Sequence, residues 1–377
     1  MAGIYIHIPF CKQACYYCDF HFSTSLKKKD DLINCLIKEI EIRKDELDGE
    51  IVETIYFGGG TPSLLSQNEI DNIIKSVYNF HSVVDNPEIT LEANPDDLSE
   101  EVIVQLSKSK VNRLSIGIQS FFERDLKMMN RAHNSDEATQ CLEFASKYFE
   151  NISIDLIYGI PGLSNDEWKQ NINKALSFGI PHISSYALTV ESGTALESFI
   201  SKRIIEDVND EQSQEQFYIL LDELQKAGFV NYELSNFGKE GYFSKNNSSY
   251  WQGKSYLGIG PSAHSFDGKR RGWNVRNNTK YIKAIQQKEL SIERETLTQV
   301  DRYNEYIMTG LRTMWGVDLD RIKSEFGVKM YDYLLLHSEK HREGDLLYIE
   351  DSNLKTTQKG KFLSDGIASD LFKLNLE

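Results

Sequence analysis

Short β-type runs alternate with polar stretches of helical spacing through the first two hundred residues, and this rhythm limits the fold more than any other feature. The runs are Ile4–Ile8, Thr54–Phe57, Ile89–Leu91, Arg113–Ile118, Ile152–Ile157 and His182–Leu188. Between the first two, Leu32, Ile33, Leu36, Ile37 and Ile40 share a helix face, and Glu39 precedes Arg43 by four residues. Ser66 and Glu69 make a capping-box pattern ahead of Ile70, Ile73, Ile74 and Val77. After Asn165, residues Trp168, Ile172, Ala175 and Leu176 line one face. Strand and helix in alternation specify a parallel sheet. Six such units are too few to close an eight-fold barrel. The expected fold is therefore α/β: a partial, open (β/α)6 barrel.

The rhythm changes after about residue 190. Gln212–Ala227 reads as one more helix, stopped by Gly228. A Gly-, Asn- and Tyr-rich tract follows, containing YWQGKSYLGIGPSAHSF. From about residue 300 the spacing is helical again, with Val300, Tyr303, Ile307, Leu311 and Met314 along one stripe. Leu346–Ile349 and Asn353–Thr356 read as a hairpin before a last helix, Asp365–Phe372. The expected organisation is a barrel over 1–235, a connecting region over 236–299, and a mostly helical, winged-helix-like domain over 300–377.

The net charge of −15 argues against a chain whose main task is gripping nucleic acid. No run of eighteen apolar residues offers a membrane span. No basic stretch leads into an apolar run at the start, as a secretory signal would, so a cytoplasmic location is expected. Thiols stay reduced there, and a tight cysteine cluster reads as metal-binding or redox before disulfide.

Three of the five cysteines form such a cluster: Cys11, Cys15 and Cys18, spaced C-x3-C-x2-C just after the first β run. Structural zinc sites use four ligands, usually as two separated pairs. Here zinc would need His7 or His21 as a supplement. Three thiolates can instead hold three irons of a 4Fe–4S cluster and leave the fourth open to a small molecule. Cys35 and Cys141 sit in helical segments among apolar neighbours and read as buried free thiols.

Active sites of such barrels gather at the C-terminal strand ends, and the polar residues of this chain fall there. Gly58-Gly59-Gly60-Thr61 follows the second run, Glu92 ends the third, Gln119 ends the fourth with Arg131 beyond it, and Asp155 lies in the fifth. No Gly-Lys-Ser/Thr follows the glycines, so they are not a phosphate loop.

CKQACYYC resembles the cysteine signature of the radical S-adenosylmethionine (SAM) superfamily, with Tyr17 at its aromatic position. The resemblance implies a 4Fe–4S cluster on the three cysteines, SAM on the open iron, and a partial barrel. Within the superfamily the chain is similar to the coproporphyrinogen-dehydrogenase-like branch. Carried over position by position, the SAM contacts would be Tyr5, Tyr17, Gly59, Gly60, Thr61, Glu92, Gln119, Arg131 and Asp155, with the Arg131 fork suited to the SAM carboxylate.

Two groups of that branch are to be separated: the decarboxylating dehydrogenases, and the HemW-type heme chaperones, whose implied partners are heme and heme-acceptor proteins. The dehydrogenases continue past the third cysteine with Gly-Cys, where this chain has Asp19-Phe20, and carry more residues ahead of their cysteines. NNSSYW resembles the HNxxYW tract of the chaperones. The chaperone reading is therefore expected, with the dehydrogenase as the alternative. Asn247, Tyr250 and Trp251 fit the tract, but Asn246 stands where its histidine would be. An amide is a poor axial ligand for heme iron, which makes His264, Tyr250 and His133 the candidates to replace it.

Overall fold

The computed structural model describes residues 1–374. The expected strands form, the first five with wider bounds and the sixth one residue shorter: β1 Ala2–Ile8, β2 Val52–Gly59, β3 Val83–Ala93, β4 Arg113–Gln119, β5 Ile152–Tyr158 and β6 His182–Ala187. All five neighbouring pairs run parallel, in chain order. β1 and β6 are not neighbours, so the barrel stays open. Helices join the strands. Lys29–Ile42 carries the predicted apolar face, and Gln67–Phe80 begins with a full capping box between Ser66 and Glu69. Asn165–Ser177 is capped by Ser164 and Glu167, one residue before the start read from the sequence.

The sheet does not end with these six strands. Val230–Glu233 (β7) and Asn236–Gly238 (β8) extend it beyond β6. Tyr256–Ile259 (β9) pairs parallel with β1 on the opposite side. His264–Phe266 (β10), Arg270–Asn274 (β11) and Ile292–Thr296 (β12) follow in antiparallel order. The Gly- and Asn-rich tract thus supplies more than half of the extension. Its strands are only three to five residues long, too short and too interrupted by glycine for a period-two pattern to stand out.

Alternation along the strands separates two environments. Ile4, Ile6 and Ile8 are wholly buried in the main apolar core, whereas Tyr5 faces the barrel interior. Tyr56, Glu92, Ser115, Asp155 and Ser184 share that interior. Layers of branched apolar side chains fill a closed barrel of this kind; here a polar, hollow one is left.

The C-terminal part has its own core, built on Tyr303, Ile307, Leu334, Leu354 and Leu371. Its helices are Gln299–Leu311, Val328–Glu343 and Ser364–Leu371. The predicted hairpin forms as Leu347–Glu350 (β14) and Asn353–Thr356 (β15); Val317–Asp318 (β13) pairs on its free side. This part is tied to the barrel through Leu234 N–H on the Arg312 carbonyl (2.9 Å) and Met314 N–H on the Tyr232 carbonyl (3.0 Å). Among the described residues no helix is long and apolar enough to cross a membrane.

Candidate functional site

The cysteine loop leaves β1 at Ile8 and lies across the C-terminal mouth of the barrel. Backbone contacts fix it: Cys11 N–H to the Ser23 carbonyl (3.1 Å), Ser23 N–H to the Pro9 carbonyl (2.9 Å) and Tyr16 N–H to the Met129 carbonyl (3.1 Å). Gln13 and Asn130 clamp it further, at 2.8 Å. Cys11, Cys15 and Cys18 are free, half-buried thiols on this one loop, and they do not close to the spacing around a single ion. Burial raises the Cys11 thiol, against a hydrogen bond from Thr61, and pushes Cys18 up to about 11.

Arg131 reaches the same loop from beyond β4. Its Nη1 donates to Cys15 Sγ (3.4 Å) and to the Tyr17 hydroxyl (3.3 Å), and its Nη2 to Asn94 Oδ1 (2.8 Å) and the Gly117 carbonyl (2.9 Å). Its buried Nε has no acceptor among the described residues. A buried cation beside a sulfur, with one donor unspent, suits a site that takes thiolates and an anionic ligand together.

The glycines after β2 bring backbone against backbone. Gly60 N–H donates to the Ile8 carbonyl (2.8 Å), and Thr61 N–H to the Phe10 carbonyl (2.7 Å). A methyl group on Gly60 would stand 2.6 Å from the Phe10 carbonyl oxygen and 2.8 Å from that of Ile8. Gly60→Ala must therefore move the start of the cysteine loop, since backbone cannot swing aside as a side chain can. The expected cost is about 1–3 kcal/mol of stability in urea titration, from overpacking; unchanged stability would show that the loop can yield.

Inside the mouth lies a cavity of about 250 Å³. Glu92 reaches it from β3, accepting from the Tyr56 hydroxyl (2.7 Å) and Gly59 N–H (3.2 Å). Burial raises the Glu92 carboxyl and lifts Asp155, in the same cavity, to about 7. Gln119, at the end of β4, is buried with a left-handed φ of 66° where the β4–β5 register shifts. Asn246 and Asn247 enter the cavity from helix Lys245–Trp251. Asn246 Oδ1 accepts from Thr54 (3.1 Å), and its N–H donates to Glu88 (3.0 Å).

A much larger cleft, about 1060 Å³, opens between the barrel mouth and the C-terminal helices. Tyr5 and Tyr250 line both spaces and form the partition between them. Trp251, Phe266, Phe20 and Phe326 give the cleft aromatic walls. Arg271 and Arg321 stand in it paired with Glu295, Glu305 and Glu325. Arg276 and Arg302 also line it, and neither has a carboxylate within 4.0 Å among the described residues.

The radical SAM superfamily model matches residues 5–175, and the HemN C-terminal domain model matches residues 297–363. The heme chaperone HemW of Lactococcus lactis is 33% identical over 368 residues, covering 96% of this chain and 95% of that one. The heme chaperone HemW of Bacillus subtilis is 32% identical over 371 residues, covering 97% and 98%. The chain belongs to the HemW family of the radical SAM superfamily. In fold it also matches the coproporphyrinogen III oxidase HemN of Escherichia coli, with a TM-score of 0.85 over 99% of this chain and 90% of that one. At 21% identity that likeness concerns architecture alone.

The residues singled out in the sequence of this HemW-family chain fall into three places. Cys11, Cys15, Tyr17 and Arg131 meet at the loop, with Gly60 and Thr61 beneath it. Tyr5, Glu92, Asp155, Asn246, Asn247 and Tyr250 surround the barrel cavity. Trp251 and His264 stand on the cleft with Tyr250. His133 lies on neither space: it is buried, bonded through Nε2 to the Ile118 carbonyl (3.1 Å), and burial lowers it to about 4. Asn94, Tyr56, His21 and Arg276 were not singled out as contacts. Asn94 had a signal, since it lies two residues past Glu92 at the C-terminal end of β3, and Tyr56 stands in the second run just ahead of the flagged glycines. In the sequence His21 stands out only as a supplement to a zinc site and Arg276 not at all, because only the fold brings residues 21 and 276 to one cleft.

Proposed function

We propose that this chain is a heme-handling protein of the HemW type, holding a 4Fe–4S cluster and SAM at the barrel mouth and receiving heme in the adjoining cleft. One observation carries the reading: a cleft roomy enough for a large planar ligand, with aromatic walls and uncompensated arginines, adjoins the cysteine loop. Full-length relatives are heme chaperones. Delivery to heme-acceptor proteins in the cytoplasm follows from the same reading.

Cys11, Cys15 and Cys18 would ligate the cluster, with Arg131 beside Cys15 offsetting the thiolate charge. A cluster held there would supply reducing power toward SAM. The residues of the chain bind, orient and exclude water. Gly59 and Gly60 let backbone approach the SAM amine, Arg131 serves the carboxylate, and Glu92, Gln119 and Asp155 offer acceptors to the ribose. Glu92 is already held by Tyr56 and Gly59, so its carboxylate is pre-oriented before a ligand arrives.

Two titrations test this. Hemin added anaerobically to the reconstituted protein is expected to bind saturably, one per chain, by Soret absorbance. Reduced protein with SAM and coproporphyrinogen III is expected to yield no protoporphyrinogen. Product formation there would establish the dehydrogenase instead, and absence of hemin binding would remove the heme role.

A further inference from the structure

The heme reading leaves the iron without an obvious ligand, because the tract histidine is replaced by Asn246 and that residue faces the barrel cavity, not the cleft. An axial imidazole needs three things: a ring nitrogen with a free lone pair, a partner on the other nitrogen that fixes tautomer and orientation, and a position on the space the porphyrin would fill. Three histidines line the cleft: His7, His21 and His264.

His7 is spent on both nitrogens. Its Nδ1 accepts from the Tyr5 hydroxyl (3.1 Å), and its Nε2–H donates to the His21 carbonyl (3.1 Å). His264 is the opposite case. Neither of its nitrogens has a hydrogen-bond partner among the described residues, and its ring leans on Trp273 at a centroid distance of 6.3 Å, with nothing to set its tautomer. His21 meets all three conditions. Its Nε2–H donates to Asn278 Oδ1 at 2.7 Å, which leaves the lone pair on Nδ1, and Nδ1 has no partner among the described residues. Its ring stacks on His7 at 6.2 Å and 24°, and its carbonyl is held by the same His7, so backbone and ring are both fixed. A carbonyl oxygen behind an imidazole N–H is the arrangement that orients histidines ligating metals.

We infer that His21 is the axial ligand that this chain offers to heme iron, through Nδ1, in place of the missing tract histidine. This rests on the heme reading above. The same seat puts the heme near Arg276, whose guanidinium donates to the Asp19 carbonyl two residues from His21 and has no carboxylate partner among the described residues. A heme propionate would supply one. The assignment also sets the iron three residues along the chain from Cys18, so heme and cluster would be neighbours on one loop.

The test is a hemin titration of reconstituted full-length protein, followed by absorbance and by EPR of the ferric heme. Wild type is expected to give a histidine-ligated spectrum. His21→Ala is expected to lose it and to bind about tenfold or more weakly, and added imidazole is expected to restore the spectrum. His264 and Tyr250 line the cleft, so His264→Ala and Tyr250→Phe can change affinity, but both should keep the histidine-ligated spectrum. Imidazole rescue separates a lost ligand from a damaged fold, and Asn278→Ala, which only frees the ring, should broaden the signal without abolishing binding. If His21→Ala keeps the affinity and spectrum of wild type, His21 is not the ligand. If wild type takes up no hemin, the heme reading itself fails.

Discussion

Cys15→Ala protein is expected to purify folded and nearly free of iron. The reason lies in how the loop is held. Its path is set by backbone contacts to Ser23, Pro9 and Met129 and by the clamp of Gln13 on Asn130, none of which uses a thiol. Arg131 would lose one sulfur acceptor and keep Asn94 and Gly117. Nothing in the apolar core is touched, since Cys15 is half-buried and outside it. The cluster loses one of the three protein ligands the loop offers. Changes to residues that merely support a metal ligand lower affinity by about 10–100-fold, so removal of a ligand should lower iron per chain by at least about tenfold. Iron analysis after anaerobic reconstitution checks this, with circular dichroism to verify the fold. Cys11→Ala and Cys18→Ala should behave alike, and Cys35→Ala, deep in helix Lys29–Ile42, should keep its iron. Full iron content in Cys15→Ala would place the cluster elsewhere.

Glu39→Ala is expected to cost the fold more than any other single change considered. Glu39 is fully buried and accepts from four directions: Arg43 (2.9 Å), Gly260 N–H (2.8 Å), Asn274 (2.7 Å) and the Tyr281 hydroxyl (2.6 Å). Arg43, 1% exposed, also donates to the Gly258 carbonyl (2.6 Å) and Ser265 (3.0 Å). These contacts fasten β9, β10 and β11, which carry one wall of the cleft, to the first barrel helix. Without Glu39, Arg43 keeps only the partly exposed Glu46 as a carboxylate (2.8 Å), and the buried donors of Gly260, Asn274 and Tyr281 lose their acceptor, so the loss should fall in the range of about 3–5 kcal/mol for breaking a buried pair. Urea denaturation should show that loss for Glu39→Ala and a smaller one for Glu39→Gln, which keeps the shape and one of the two acceptor oxygens. A loss below about 1 kcal/mol, the level of an exposed pair, would mean that the network does not hold the extension.

The barrel was legible in the sequence because its strands carry branched apolar residues at period two and its helices carry clean apolar faces with caps. The sheet extension was not. β8 and β10 are three residues long, and on the β9–β11 side the strands are held by contacts such as those of Glu39 and Arg43 with residues 258–281. In the sequence Glu39 and Arg43 support a helix as a four-residue pair; only the fold reveals that they are buried and reach so far. The position of helix Val328–Glu343 within the expected helical domain is hidden in the sequence for a related reason. Its buried residues are Leu334, Ser338 and His341, a face with too little apolar content to show as a stripe, while Leu336 points outward. At the site, a spacing rule exposed the cysteines and the strand-end polar residues. His21 was weighed only as an extra zinc ligand, because its orientation depends on Asn278, some 250 residues away.

The central claim is an iron–sulfur cluster on Cys11, Cys15 and Cys18 with one iron open to SAM. EPR of the reduced, reconstituted protein, recorded with and without SAM, tests it most directly. The expected result is a 4Fe–4S signal that changes when SAM is added and is missing from Cys15→Ala. A signal indifferent to SAM, or zinc in place of iron in the reconstituted protein, would contradict it.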